Sequence, residues 1–456
     1  MSQDLSPSTA RPDSPATATG SAITTEPPTA TALPGEPGFI FDPMSPAYDR
    51  DPYPLLARMR RHAPIYEWSP LGALFLSRHR DVVAVLADEA RFSPDRRRWE
   101  HFVPPPPEHA DHPIVRLQSS NILAYDGAEH SRLRKLASVA LTRRAVRSLE
   151  PLMIELADEL IDCFIASGRC DFVRDFASLF PVTIVSRLLG ISANSERERR
   201  FKALADAAVV AFNPMCSEAE QLRSLHSMTI QIEEVRALMD EKRERPGADL
   251  MTDMIQAESE GDRFSADEIL STVMAILVAG SETTANSFSF GLIELLRHPD
   301  QLVRFRDDAG VRANGGYEII RYQHPGRFLP RYARAATEVD GVPVRAGQML
   351  LCSVPSAQRD PEAIPDPDRF DIGRTPADLS AFGVGRHFCI GAQLARLELE
   401  VALGRVVERL VDPALEGDFE SIPYRANPAV RGPASLPIRF AARSTHAISS
   451  SPRASQ

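Results

Sequence analysis

The chain has 456 residues, of which 43% are hydrophobic, so it can bury a large core and suits one big domain or two ordinary ones. A formal net charge of -10 argues against nucleic acid or an anionic membrane surface as a partner. No stretch approaches the roughly 20 apolar residues that cross a bilayer, which excludes a helical membrane protein.

The cysteines are odd in number and form none of the C-x-x-C pairs that are typical of zinc or iron–sulfur sites. The N-terminus has no basic segment followed by an apolar one, as a signal peptide would. Both features predict a cytoplasmic protein. The five cysteines are Cys163, Cys170, Cys216, Cys352 and Cys389.

The two ends of the chain differ from the middle in composition. Residues 1–37 and 441–456 consist mainly of small and polar residues and proline. Such segments bury too little apolar surface to offset their ordering entropy. We therefore expect two disordered tails around one folded domain of residues 38–440.

Within that domain the periodicity is mainly helical. The segment Gly72–Leu76 predicts a strand, and apolar residues at helical spacing predict helices at Leu149–Ala166, Val182–Leu189 and Ile230–Met239. Further short strands fit Thr337–Leu351, which Gly341 and Gly347 interrupt. The predicted fold class is mainly α with small β-sheets (α+β).

One long helix has clear ends. Ser265 is a good N-cap, Glu268 completes a capping box, and the pattern continues to His298, where a proline follows. Its middle, Ala279–Thr284, places an acid and two hydroxyls after an apolar turn. A polar turn in a helix that crosses a core requires an explanation, although a solvated stripe is the simplest one.

A glycine-rich loop, F-G-V-G-R-H-F-C-I-G, spans Phe382–Gly391 and precedes a predicted helix at Ala392–Leu410. Cys389 at this helix start faces free backbone N–H groups and the positive end of the helix dipole, which favour a thiolate. A thiolate is a ready metal ligand. A lone cysteine among glycines is more often structural, so the weight rests on the complete string.

That string resembles the haem-binding loop of the cytochrome P450 family, F-G-x-G-x-H-x-C-x-G. The resemblance implies the P450 fold, in which haem b lies buried between a long central distal helix and the proximal cysteine loop. It further implies that Cys389 is the axial ligand of the haem iron and that His387 contacts a haem propionate.

Three further residues resemble the family's propionate contacts, since buried carboxylates require charged donors. His130 and Arg134 follow the H-x-x-x-R pattern on one helix face, and Arg331 stands at the position of the family's strand arginine.

The centre of the long helix is similar to the family's A-G-x-[DE]-T-T pattern. The resemblance implies that Gly280 leaves room for dioxygen and that Glu282 and Thr283 organise water for proton delivery. Thr284 is expected to pack.

Glu318 and Arg321 resemble the family's buried E-x-x-R ion pair, which a downstream arginine completes, here expected to be Arg369. The chain departs from common family residues at Tyr317, at Gln358 and at Gly315-Gly316, a glycine pair that we expect to weaken the start of that helix.

The resemblance predicts a haem-thiolate monooxygenase that inserts one atom of dioxygen into a hydrophobic small molecule: a terpenoid, steroid, fatty acid or polyketide. Electrons would come from a separate ferredoxin or flavodoxin with its NAD(P)H reductase. The alternatives are a peroxide-driven hydroxylase and a non-catalytic haem-thiolate sensor. The Glu282–Thr283 pair disfavours both, because sensing needs no proton relay and some peroxide-driven relatives alter this pair.

Two surfaces complete the prediction. A basic face for the electron donor is expected at Arg132, Lys135, Arg143, Arg144 and Arg386, with Arg134 excluded because it should face the haem. The substrate lining is expected from the segments Val103–Pro113, Val209–Ser227 and Pro325–Leu329 and from the turn before Leu436.

Overall fold

The structure is a computed structural model that describes residues 39–104, 115, 122–140, 142–192, 196–197, 200–201, 218–259, 262–376, 380–427 and 429–442. The predicted N-terminal tail of residues 1–37 lies outside the described residues, as do residues 443–456. The last strand continues through Ala442, past the expected domain boundary at Phe440.

Helices dominate the described chain. They are α1 (Pro46–Arg50), α2 (Tyr53–His62), α3 (His79–Ala87), α4 (Gly127–Ala140), α5 (Arg143–Arg147), α6 (Glu150–Ile165), α7 (Leu179–Leu188), α8 (Glu218–Glu244), α9 (Leu250–Gln256), α10 (Ala266–Arg297), α11 (Pro299–Asp307), α12 (Ala309–Tyr322), α13 (Val354–Ala357), α14 (Ala392–Glu398) and α15 (Gly404–Arg409).

The strands are short and form small sheets. They are β1 (Ile65–Trp68), β2 (Ala73–Leu76), β3 (Phe92–Ser93), β4 (Arg169–Asp171), β5 (Glu258–Ser259), β6 (Asp262–Arg263), β7 (Leu329–Ala333), β8 (Thr337–Val339), β9 (Val342–Val344), β10 (Met349–Cys352), β11 (Leu410–Leu415) and β12 (Pro437–Ala442).

The largest sheet has the strand order β1-β2-β10-β7-β3, and a smaller one has the order β11-β12-β4. In the large sheet Arg331 of β7 pairs with Leu350 of β10. The segment Thr337–Leu351 contributes three strands, with positive φ at Gly341 and Gly347 where the chain turns. The mainly α fold class with small sheets is thus confirmed.

The long helix α10 has the predicted ends. Ser265 Oγ accepts from the Glu268 backbone N–H at 3.2 Å, and the Glu268 carboxylate accepts from the Ser265 N–H at 2.7 Å. The helix ends at Arg297, one residue before His298, and its 32 residues span about 48 Å at the usual rise per residue.

Helix α10 runs through the interior because apolar side chains cover both of its halves. Val273 and Leu277 in the first half belong to a buried cluster with α7, α8 and α9. In the second half Phe288 meets Phe176 and Phe180 edge-on, with ring centroids 5.9 and 5.5 Å away. The polar central turn therefore lies deep inside the protein.

The buried ion pair at Glu318 is completed by a different arginine from the one expected. Arg321 donates to both Glu318 carboxylate oxygens at 2.6 and 2.8 Å, as predicted. Arg374 lies 3.4 Å from the same carboxylate. Arg369 points away, with its side chain 66% exposed and 3.8 Å from Asp371. The prediction of Arg369 was wrong because the loop folds back and inserts Arg374 instead.

The glycine pair does not weaken the start of its helix. Helix α12 begins at Ala309 behind the N-cap Asp308, so Gly315 and Gly316 lie in its interior. A Cβ at Gly316 would lie 3.1 Å from Leu399 Cβ and 3.2 Å from the Arg396 carbonyl oxygen. The glycines therefore permit close helix packing.

Candidate functional site

The cysteine loop is a tight turn that needs its glycines. Gly383 and Gly385 have φ values of +83° and +74°, which side chains rarely adopt. The Cys389 backbone N–H donates to the Phe382 carbonyl at 2.9 Å and closes the loop. This closure places the cysteine immediately before α14.

The Cys389 side chain is solvent-accessible. Burial nevertheless raises the pKa of its thiol, against the opposing effects of a hydrogen bond from the Gly391 backbone and the charge of Arg134. The sulfur is therefore accessible although protein atoms surround the side chain. The helix start lowers the pKa of the thiol, as expected, but burial raises this pKa by more. A bound cation would therefore be needed to stabilise the thiolate.

Two histidines stack beside the cysteine loop. The rings of His130 on α4 and His387 in the loop have centroids 3.9 Å apart. His130 Nδ1 and His387 Nε2 are buried, and no hydrogen-bond partner exists for them among the described residues. Buried polar atoms normally have partners. The pair is therefore aimed at a group that the polypeptide does not supply.

The charge around the histidines indicates what that group is. Desolvation, followed by the charge of Arg134, lowers the pKa of His130 to about 4. Desolvation, then His130 and Arg331, lowers the pKa of His387 to about 3. Desolvation also lowers the pKa values of Arg134 and Arg331 themselves. Four cationic or proton-accepting side chains lie in one place, two of them buried and two half-buried, and they fit a bound anion.

One protein acid acts on this site, and one of its two carboxylate oxygens is bound to other side chains. Asp126 raises the pKa of His130. Its carboxylate is bound by Arg334 at 2.6 Å and by the Ser93 hydroxyl. The carboxylates of a bound group would therefore find donors at His130, Arg134, Arg331 and His387, beside the Cys389 sulfur.

The central turn of α10 carries the polar side chains. The Thr283 hydroxyl donates to the Ala279 carbonyl at 2.5 Å. Ala279 is exposed although Leu277 and Ser281 beside it are buried. One side of this turn is therefore accessible, with Ala279 and Thr283 on it.

Gly280 has a packing explanation. A Cβ at this position would lie 3.3 Å from Val185 Cγ2 on α7, so the missing side chain brings α7 close to α10. Ala279, not Gly280, is the exposed small residue of this turn. The role of Gly280 beside dioxygen stays a prediction.

A family model described as Cytochrome P450 matches residues 74–309 and 317–418. This chain belongs to the cytochrome P450 family. It is 33% identical over 410 residues to the epothilone C/D epoxidase of Sorangium cellulosum, which covers 88% of this chain and 96% of that protein. It is also 36% identical over 404 residues to cytochrome P450 monooxygenase PikC of Streptomyces venezuelae. This match covers 86% of this chain and 91% of PikC.

Among solved structures, epothilone D-bound cytochrome P450epoK matches with a TM-score of 0.81 and 30% identity, covering 89% of this chain and 100% of that chain. This cytochrome P450 is accordingly an oxidoreductase of the monooxygenase type that uses a haem-thiolate centre, a small substrate, dioxygen and a redox partner. Within the described ranges, none of its helices has the length and apolar character needed to traverse a membrane.

The sequence did not reveal the partners of two side chains on the central helix of this P450, Thr284 and Glu282. Thr284 is buried, as expected, and its hydroxyl also hydrogen-bonds with Glu398, whose pKa burial raises well above its ordinary value. Glu282 receives a hydrogen bond from Asn427 and faces Arg425. Glu398 lies in a helix that also carries Gln393 and Arg396, so no local pattern marks it, and none marks Asn427 or Arg425.

The expected substrate segments are only partly described. Most of Val103–Pro113 lies outside the described residues, as do residues 209–217 of the second segment, whose remainder begins α8. Val103 and Leu329 are large apolar residues with 82% and 38% of their surface exposed.

Proposed function

We propose that this cytochrome P450 binds haem b, that Cys389 would hold the haem iron, and that His130, Arg134, Arg331 and His387 would contact the propionates. The accessible Cys389 sulfur beside the unpartnered nitrogens of the two stacked histidines is the observation that carries the proposal. An iron porphyrin supplies both a cation for the thiolate and two carboxylates for the basic side chains.

The reaction inserts one oxygen atom of dioxygen into the substrate. The other atom leaves as water, and each turnover consumes two electrons and two protons. Bound haem supplies the activation of dioxygen. Glu282 and Thr283 deliver the protons. The Thr283 hydroxyl lies on the accessible side of α10, and the Glu282 carboxylate belongs to the residue immediately before it.

The substrate is a hydrophobic small molecule of the terpenoid, steroid, fatty acid or polyketide class. Two observations support a sizeable apolar ligand. One similar solved structure has epothilone D bound. Leu123 and Leu329 are exposed apolar residues in the segments before α4 and before the sheet arginine. Apolar walls with a few polar groups are typical of such sites.

A panel of compounds tests the substrate class, and one variant tests the proton path. Epothilone D, a steroid, a terpenoid and a fatty acid are titrated while the haem absorbance is monitored. With the best ligand, Thr283→Ala should retain haem and ligand binding but raise the hydrogen peroxide released per NADPH by about tenfold or more, since a positioned acid–base group contributes at least that much.

The matched control is Ser289→Ala, which removes a buried hydroxyl that donates to the carbonyl four residues earlier in the same helix, at 2.9 Å. This control should leave peroxide release unchanged. Equal coupling in Thr283→Ala and wild type would refute the proton path. Turnover with peroxide alone would favour the peroxide-driven hydroxylase, and ligand binding without any product would favour the sensor.

Electrons come from a separate ferredoxin or flavodoxin that docks on a basic face near α14. Lys135, Arg143 and Arg144 are exposed on α4 and α5. Arg143 also lines a cavity of about 270 Å³ with Arg147 and Arg396, beside the helix that follows Cys389. Positive charge at this position suits an acidic carrier and a short electron path to the cysteine side.

Two arginines of the expected face are engaged within the protein. Arg132 is bound by Glu129 at 2.9 Å and by the capping residue Glu268. Arg386 lies 3.3 Å from Glu89 and donates to the Ser131 hydroxyl at 2.8 Å. The docking face is centred on Lys135, Arg143 and Arg144, whose side chains are exposed on α4 and α5.

A further inference from the structure

The segment between β11 and β12 contacts the central turn of α10 and the turn that follows it. Asn427 Nδ2 donates to Glu282 Oε1 at 3.2 Å. One helical turn further on, a side chain at Gly432 would overlap the side chain of Asn286. Glu282 and Asn286 are four residues apart and share one helix face. The same segment thus contacts α10 at two adjacent points, one of which is the proposed proton-delivering acid.

The amide of Asn427 has only one possible orientation. Its Oδ1 accepts from the backbone N–H groups of Ala429 and Val430 at 2.9 and 3.2 Å. An oxygen that accepts two hydrogen bonds cannot be exchanged for the NH₂ group, so Nδ2 must face Glu282. The amide therefore presents a donor to the carboxylate.

The backbone of Asn427 is held equally firmly. Its carbonyl accepts from Arg327 Nε at 2.6 Å. Arg327 is 1% exposed, and it also donates to the Pro43 carbonyl at 2.8 Å and binds Asp49. Asn427 is thus attached to a buried guanidinium that connects the N-terminal part of the fold to this segment.

Arg425 adds a charge to the same carboxylate oxygen. A guanidinium nitrogen of Arg425 lies 4.0 Å from Glu282 Oε1, and the two side chains are 34% and 13% exposed. The Arg425 backbone N–H donates to the Gly432 carbonyl at 3.0 Å, which closes the segment on itself. A neutral donor and a cation therefore act together on one oxygen of the acid.

We infer that Asn427 is a positioning residue for Glu282, with Arg425 as its charged partner, and that this pair holds the acid in the orientation for proton delivery. The inference rests on the proposed function of Glu282. A hydrogen-bond donor and a cation on the same oxygen restrict the direction of the carboxylate. A proton-transferring group loses efficiency when its supporting contacts leave it mobile.

One substitution separates positioning from loop stability. Asn427→Asp retains the oxygen that accepts from Ala429 and Val430 but replaces the donor to Glu282 with a second carboxylate oxygen. Asn427→Ala removes both interactions. Haem-loaded variants are supplied with NADPH, a plant-type ferredoxin and its reductase, without added substrate, and the fraction of electrons recovered as hydrogen peroxide is measured.

Both variants should change the ratio of peroxide to water by about tenfold, as loss of a hydrogen bond to a charged group implies. In a Glu282→Gln background Asn427→Asp should add little further change, because the two residues act as one unit. A crystal structure of Asn427→Asp should show the Glu282 carboxylate displaced from residue 427 and the 423–432 segment unmoved.

The outcomes separate the two hypotheses. If Asn427→Ala changes the ratio and Asn427→Asp matches wild type, Asn427 only stabilises the loop and the inference is overturned. If Glu282→Gln changes the ratio but neither Asn427→Asp nor Arg425→Gln does, the inference fails while the proposed function stands. If Glu282→Gln has no effect, both fail. Arg425 is partly exposed, so Arg425→Gln, with Arg425→Lys as the charge-retaining control, decides the matter should Asn427→Asp not fold.

Discussion

Glu318 is completely buried, and three residues contribute to its neutralisation. Arg321 supplies two hydrogen bonds from the next helical turn, the Asp371 backbone N–H donates at 3.0 Å, and Arg374 lies 3.4 Å away. Arg374 also donates to the Pro365 carbonyl at 2.9 Å. A buried carboxylate is tolerable only with such a complete set of partners.

The two arginines of this loop should therefore differ in their contribution to stability. Arg374→Ala should lower the free energy of unfolding by about 1–3 kcal/mol. It removes a charged partner of a buried acid and the hydrogen bond that Arg374 donates to the Pro365 carbonyl. Arg369→Ala, the matched control in the same loop, should change it by less than about 0.5 kcal/mol, as exposed substitutions do. Chemical denaturation of the haem-loaded proteins measures both. A larger loss in Arg369→Ala would contradict the placement of the loop.

At the scale of elements, the packing of α12 against the cysteine side of the molecule depends on missing side chains. Gly316 lies against the Arg396 and Leu399 region, where α14 continues as a π-helical turn at Leu399–Leu403. Gly315 lies similarly close to Phe305 of α11. Because Leu399 and Phe305 are both buried, a methyl group added at either glycine has no space to occupy.

Two substitutions within α12 test this packing. Glycine to alanine normally stabilises a helix by about 1 kcal/mol. Gly316→Ala should instead destabilise the protein by about 1–3 kcal/mol, since it forces α14 outward. Gly310→Ala, at the exposed start of the same helix, meets only the Asp308 side chain and should be neutral or stabilising. Thermal melting of both variants is the measurement, and a stabilised Gly316→Ala would contradict the packing.

The predictable elements were those that local chemistry specifies. The capping box at Ser265 and Glu268, the proline after His298 and the glycines of the cysteine loop each determine the backbone within a few residues. The error at Arg369 and the omission of Asn427 have one cause. Both sites depend on where an irregular loop contacts a helix that is distant in sequence. Irregular loops have no periodic residue pattern from which such contacts could be predicted. The paired departures Tyr317 and Gln358 illustrate the same point, because they hydrogen-bond each other at 3.4 Å.

On the scale of the whole molecule, the protein has a net charge of -10, whereas the face beside the cysteine helix is locally basic. This asymmetry can orient an approaching acidic carrier, since complementary patches increase association rates and salt screens them. The internal pairing of Arg132 with Glu268 narrows the face to residues on the outer side of α4 and α5.

Docking on this face predicts a salt-dependent reduction rate. Lys135→Glu with Arg143→Glu should slow stopped-flow reduction by a ferredoxin by about tenfold at low ionic strength and weaken its salt dependence. The charge-matched control reverses Arg169 and Arg439, which are exposed on the sheet of β4 and β12. If the control slows reduction as much as the test variant, the carrier docks elsewhere.

The central claim is that Cys389 is a thiolate ligand of haem iron, and the absorbance of the reduced protein under carbon monoxide tests it most directly. Wild type should show the strongly red-shifted Soret band that thiolate ligation produces. Cys163→Ser, which alters an exposed cysteine, should retain the band, and Cys389→Ala should lose it. Wild-type protein that binds no haem, or a red-shifted band that persists in Cys389→Ala, would contradict the account.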